Sequence, residues 1–327
     1  MRQPVRSELS AVLCCPVCHG ALLTEGEILR CGGCFNSFAM VEGMPDLRVY
    51  ESPAHANSFN REQAIYESAL HDKVADSVYE RAIVRRYGTK TRQMVEEWSS
   101  AILEERHEGV LDYGCGTGQV SRVLSRSIDP IFAFDISERS VRNNIRDNGV
   151  CGIAANAFFL PFRDDAFDVI CVNGVFHHIV DLDAAMEELS RVCRGDVYIS
   201  DGRTTERSSF ANVWSYPGAI RKAVYAFYAL LYLPYKLWAK AKRRFARASN
   251  RGVGGSSPTH NSVYERPLEA AVVERLLEAR GFKRKELRYY TNIFLPGDGI
   301  IKRKATRILV NGSVGTHFDL RMRKIGR

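Results

Sequence analysis

The chain has 327 residues, 45% of them hydrophobic and 26% charged, with a net charge of +8. This is the composition of an ordinary globular protein and excludes fibrous and disordered classes, while the positive excess suits an anionic partner. No run reaches the ~18–20 apolar residues of a membrane span, and the apolar run behind residues 1–10 is too short for an export signal, so a cytoplasmic location is expected.

The first motif is Cys15-Pro-Val-Cys18 with Cys31-Gly-Gly-Cys34. Each pair makes a tight knuckle whose sulfurs point to one centre. Four thiolates suit tetrahedral zinc and close it to substrate, so the expected role is structural. Nine cysteines without an export signal argue for thiols and metal rather than disulfides. Residues 1–49 are expected to form this ribbon, with a strand leading into Cys31. The stretch resembles the small zinc-binding activator of eukaryotic RNA and protein methyltransferases. It also resembles the amino-terminal ribbon of bacterial rRNA guanine methyltransferases.

Residues 50–105 carry apolar side chains at three- and four-residue intervals, as in helices. They are expected to form a helical cap or linker. Tyr66 and Tyr79 are candidate lid residues.

Residues 106–202 hold the centre of the chain. Val110-Leu-Asp-Tyr113 is a short apolar strand. Gly114, Gly116 and Gly118 break it, and residues 120–127 resume as a helix. A strand that turns through glycines into a helix aims backbone N–H groups and a positive helix end at one point. The spacing is G-x-G-x-G, and Gln119 stands where a dinucleotide fingerprint has its third glycine. A second strand, residues 131–134, ends in Asp135, placed to accept ribose hydroxyls. Then come Ala154-Ala-Asn-Ala-Phe-Phe-Leu-Pro-Phe-Arg-Asp-Asp-Ala-Phe-Asp168, the strand to Asn173, and Gly-Val-Phe-His177-His178. A helix around residues 185–192 and a strand at residues 196–201 follow.

These five ordered motifs resemble class I S-adenosylmethionine-dependent methyltransferases, in particular the family containing the ubiquinone-biosynthesis enzymes. The resemblance covers about residues 105–205. It implies a doubly wound α/β sheet with S-adenosylmethionine held by Asp112, Gly114, Gly116, Gly118, Asp135, Ile136, Asn156, Ala157 and Asn173. Asn156 stands where the family often has Asp, which puts an amide at the adenine contact. Arg194-Gly-Asp196 replaces the usual Pro-Gly-Gly turn. His177 and His178 follow the fourth strand and are the candidate general bases; the competing role is packing and capping of that loop.

Residues 203–262 read as a helical insertion. An uncharged aromatic run at residues 223–235 is followed by Lys236, Lys240, Lys242, Arg243, Arg244, Arg247 and Arg251. At 13 residues the run is too short to span a bilayer. It suits a lid over a greasy substrate, an element on an anionic membrane surface, or a buried helix with a solvated tail. Residues 263–327 are expected to complete the core, with a helix over 268–280, a sixth strand from Phe282 and an antiparallel last strand near 316–323. Residues 300–310 fit helix or strand equally.

The expected fold is therefore a Rossmann-like methyltransferase sheet with a zinc ribbon in front and a helical insertion behind. The expected activity is methyl transfer from S-adenosylmethionine to a small or lipid-like acceptor, with peripheral membrane contact as a corollary. RNA methylated at a ring nitrogen, with the ribbon docking it, is the alternative. A degenerate methyltransferase serving as a binding scaffold ranks behind both, because Asp112, the three glycines and Asp135 are intact.

Overall fold

The structure, a computed structural model, describes residues 7–51, 57–75, 78–105, 107–202, 264, 266, 268–296, 303–310 and 317–325, with backbone only for 78–87, 89–90, 291–296 and 303–310. The insertion over 203–262 and its aromatic run lie outside the described residues. So does the side chain of Tyr79.

The chain opens with α1 (Ser7–Val12) and a four-stranded antiparallel sheet, β1 (Leu22–Glu25), β2 (Ile28–Cys31), β3 (Ser37–Val41) and β4 (Met44–Pro45). Two long helices follow, α2 (Ser58–Val74) and α3 (Val78–Ile102). Asn57 starts α2 by accepting the Phe59 N–H on its side chain.

The larger sheet takes β5 (Val110–Tyr113), β6 (Ile131–Asp135), β7 (Cys151–Ala154), β8 (Phe167–Asn173), β9 (Cys193–Gly202), β10 (Phe282–Pro296), β11 (Arg303–Val310) and β12 (His317–Lys324). Their order is β11-β10-β12-β9-β8-β5-β6-β7. Strands β5 to β9 run parallel, while β12 inserts antiparallel between β9 and β10. The helices on its faces are α3, α4 (Ser121–Leu124), α5 (Glu138–Asn148), α6 (Leu182–Val192) and α7 (Ala270–Glu278).

All four residues of β5 are buried, as a parallel strand covered on both faces requires. The period of two then sorts the side chains. Leu111, Tyr113, Phe132, Phe134, Ile170 and Val172 pack with α6 and α7. Val110, Ile131, Ala133, Val169 and Cys171 pack with α3, α4 and α5. By contrast β12 alternates between buried and half-buried residues.

Two local readings differ from the sequence expectation, and one left open is decided. The helix after the glycine turn is only Ser121–Leu124, because residues 125–127 close into turns. Residues 303–310 form a strand, paired with β10 from Tyr289↔Val310 to Pro296↔Arg303. Arg194-Gly-Asp196 makes no turn. Strand β9 begins at Cys193, and a Cβ on Gly195 would strike the Asp168 carbonyl.

The ribbon docks on the open edge of the large sheet. The Leu47 N–H donates to the Ala154 carbonyl of β7 at 2.9 Å, and Leu9, Leu13 and Leu47 join the core. This covers an edge that would otherwise present unpaired backbone groups.

Candidate active site

The glycine turn joins β5 to α4, and its glycines serve different ends. Gly114, Gly116 and Gly118 all have positive φ, at 65°, 47° and 73°. A Cβ on Gly114 would lie 2.6 Å from Val175, and one on Gly118 would strike Asn144 and Asn148. A Cβ on Gly116 would meet nothing within 4 Å. Two glycines are thus demanded by packing, and the third leaves open space at a cavity wall.

Asp112 lies buried under this turn. Its Oδ2 accepts the Ser121 N–H at 3.0 Å and the Ser121 hydroxyl at 2.6 Å. Asn144 donates to the same hydroxyl at 2.9 Å, and Asn148 donates to Asn144 at 2.7 Å. Burial pushes the Asp112 carboxyl up to about 7, against the pull of the Ser121 bonds.

Asp135, at the carboxyl end of β6, accepts the Gly116 N–H at 2.8 Å and the Ser137 N–H at 2.9 Å. Burial raises its carboxyl too, and His71 nearby opposes this. Two carboxylates on one cavity wall, each with its charged form disfavoured by burial, make a place that favours a cation.

The cavity measures about 200 Å³. Asp112, Gly114, Gly116, Asp135, Ile136, Asn156, Ala157 and Asn173 line it, so the sequence-expected cofactor residues converge, with Gly118 packed behind them. Asn156 is tied in place: its Nδ2 donates to the Val49 carbonyl at 2.9 Å and its Oδ1 accepts the Phe158 N–H at 3.1 Å. An amide has a further donor and lone pair beyond those two bonds.

The two histidines part company. His178 lines the cavity, whereas His177 does not. His177 Nδ1 lies 2.6 Å from Asp201 Oδ1, and the buried Asp201 also accepts the Phe176 and Gly202 N–H groups. That arrangement fixes the His177 ring behind His178, against which it packs with ring centroids 4.1 Å apart.

Helix α2 closes the cavity with Gln63, Ala64, Glu67 and His71. Gln63 clamps the loop after β8, donating to the His178 carbonyl and accepting the Val180 N–H. Ser68 donates to the Ile136 carbonyl at 3.2 Å, and Asp72 accepts the Ser137 hydroxyl at 2.7 Å. Arg48, from the segment after the ribbon, bonds Asp46, Ser68 and Glu138. Tyr66, a lid candidate from the sequence, does not line the cavity. It is instead exposed and meets Tyr264 edge-on at 5.5 Å. The i, i+4, i+8 spacing of Gln63, Glu67 and His71 was the available signal for the real lining face.

The ribbon forms a separate centre. The four sulfurs of Cys15, Cys18, Cys31 and Cys34 lie within 4.8 Å of one another. Cys15 and Cys34 are 3.6 Å apart and Cys18 and Cys31 3.4 Å, near the ~3.8 Å that a tetrahedral ion with 2.3 Å zinc–sulfur bonds sets. Backbone N–H groups of Val17, Gly33 and Cys34 point at these sulfurs, as knuckle geometry provides. The donor set therefore fits zinc.

Comparison with known proteins bears on residues 111–200, which match the family described as a methyltransferase domain. These residues are a class I methyltransferase domain. The chain is 36% identical over 95 residues to the ubiquinone/menaquinone biosynthesis C-methyltransferase UbiE of Vibrio campbellii. It is 33% identical over 88 residues to the mitochondrial arginine-hydroxylase NDUFAF5 of Mus musculus. Those alignments cover 26% of this chain in each case, and 37% and 26% of the relatives. Among solved structures, a SAM-dependent methyltransferase of Thermotoga maritima overlays 79% of this chain and 99% of its own at 16% identity and a TM-score of 0.47. The matched methyltransferase domain contains all of β6 to β8 and most of β5 and β9, and hence every cavity residue outside α2.

Proposed function

We propose that the chain transfers a methyl group from S-adenosylmethionine to a small or lipid-like acceptor. The observation that carries this reading is the convergence of Asp112, the Gly116 opening and Asp135 on one cavity of the methyltransferase domain. The cofactor, when bound, supplies an activated methyl on a sulfonium, with a neutral thioether as leaving group. Its ribose hydroxyls suit the Asp135 carboxylate, and its cationic groups suit the negative wall. Asn156 and Ala157 suit the adenine, and Ile136 and Asn173 complete the wall. The protein's task is then to position and desolvate the acceptor.

His178 is the better placed base, because it reaches the cavity. His177, held by Asp201, is assigned to bracing the loop that carries His178. In the ribbon, Cys15, Cys18, Cys31 and Cys34 hold structural zinc.

The apolar part of the lining, Phe134, Phe158, Val175 and Ile179, and the identity to the UbiE methyltransferase support this acceptor class. The membrane reading rests on residues 203–262, which lie outside the described residues, and the RNA reading rests on the ribbon and the positive charge; the relatives support neither. The test is transfer of labelled methyl to fractionated acceptors. Label should enter small-molecule or lipid extract. Label in RNA or protein alone would overturn the acceptor class.

A further inference from the structure

Two side chains that α2 contributes to the cavity wall, Glu67 and His71, have no part in the methyl transfer proposed above. Glu67 and His71 stand one turn apart on α2, and His178 comes from the loop after β8. Glu67 Oε2 lies 3.3 Å from His71 Nε2 and 3.7 Å from His178 Nδ1. The three ligand atoms all fall within 4.8 Å of one another. The Glu67 carboxylate is buried, and the two imidazoles meet edge-on with centroids 5.5 Å apart.

We propose that Glu67, His71 and His178 form a binding site for a divalent transition-metal ion. A metal ion bound there takes up the His178 nitrogen that faces Glu67, so His178 acts as base only in the metal-free site. Bonds of 2.0–2.2 Å to nitrogen and oxygen place two ligands of one ion about 3–3.5 Å apart. The two measured separations from Glu67 are close to that span, so small side-chain shifts bring all three onto one ion. Two imidazoles and one carboxylate suit zinc or iron(II) better than magnesium or calcium, which take oxygen ligands. Three protein ligands leave coordination positions open, unlike the closed four-cysteine centre. All three residues line the cavity, so those positions are available to a molecule within it. The Gln63 clamp on the His178 carbonyl keeps the two ligand-bearing elements in register. It acts from the same face of α2, one turn before Glu67.

A pair of ordinary His–Glu contacts would show the same distances, and metal titration separates the two. The full chain is first given one equivalent of Zn2+ for its cysteines, then titrated with Co2+ and followed by calorimetry and visible absorption. The expected result is one further equivalent, with the weak bands of nitrogen and oxygen ligation and no thiolate charge-transfer band. Glu67→Gln and His71→Gln should each weaken Co2+ binding by tenfold or more, while one zinc remains on the cysteines and the far-ultraviolet circular dichroism is unchanged. No second equivalent in the unaltered chain overturns the site, whatever the variants do. So does a second equivalent that carries thiolate bands, or one whose affinity is the same in both variants. Because the readout is metal binding without turnover, it stands or falls apart from the methyl-transfer reading.

Discussion

Alanine at Gly116 and alanine at Gly118 should fail in different ways. Both positions have positive φ, so each substitution costs about 1–2 kcal/mol from the left-handed backbone alone. At Gly116 nothing lies within 4 Å of the new methyl, so no packing cost is added. At Gly118 the methyl would sit 2.6 Å from Asn148 Nδ2 and closer still to Asn144 Oδ1. Asn144 is fully buried and holds Ser121, which in turn holds Asp112. Overpacking adds about 1–3 kcal/mol, for a total of about 2–5 kcal/mol. Thermal unfolding should therefore rank Gly118→Ala well below Gly116→Ala. Calorimetry with S-adenosylmethionine should reverse the emphasis. Gly116→Ala should fold and yet bind about tenfold or more weakly, a loss of about 1.4 kcal/mol, because its methyl projects at the cavity wall. If Gly116→Ala binds as tightly as the unaltered chain, the glycine turn does not face the ligand and the assignment of the cavity is wrong.

Asp135→Ala should weaken cofactor binding by about 1–3 kcal/mol, or about 5- to 150-fold, through lost charge-assisted hydrogen bonds; unchanged affinity in a folded variant removes Asp135 from the site. The ribbon should hold one zinc per chain that Cys31→Ser abolishes, and chelation should expose residues 13–47 to protease before the core, whereas metal analysis without that zinc ends the reading. Asp112 gives a pH signature. Its folded carboxyl is raised to about 7, so the stability it contributes is present in acid and lost as pH rises toward that value. Asp112→Asn, which still accepts from Ser121, should gain stability over the unaltered chain at about 1.4 kcal/mol per pH unit from about pH 4 to pH 7, read by urea unfolding. A constant difference across that range would show that Asp112 is not held in its neutral form.

Much of the sheet could be read from the sequence because parallel strands buried on both faces are written as short unbroken apolar runs between glycines and carboxylates. Val110–Tyr113 and Ile131–Asp135 are such runs, and Asp112 and Asp135 stood out as polar residues where apolar ones belong. Residues 303–310 gave no such signal, since their pairing with β10 is set by a partner strand and not by their own pattern. The same holds for the docking of Leu47 on Ala154, a long-range contact between backbone groups that carries no mark in either segment. The lining face of α2 was hidden for a related reason. Tyr66 is a lid candidate by residue type alone, with plain helix packing the competing role, and helix rotation is fixed by what the helix packs on. The latches from Gln63, Ser68 and Asp72 turn Glu67 and His71 inward and leave Tyr66 exposed. The paired histidines stand out in the sequence, yet the sequence does not show that the buried Asp201 takes His177 and leaves His178 to line the cavity.

The most direct measurement is a calorimetric titration of the full chain with S-adenosylmethionine. The account predicts one molecule bound per chain with micromolar or tighter affinity, about −8 kcal/mol or better, and heat that falls away in Asp135→Ala. A folded chain that takes up neither S-adenosylmethionine nor its demethylated product would contradict it.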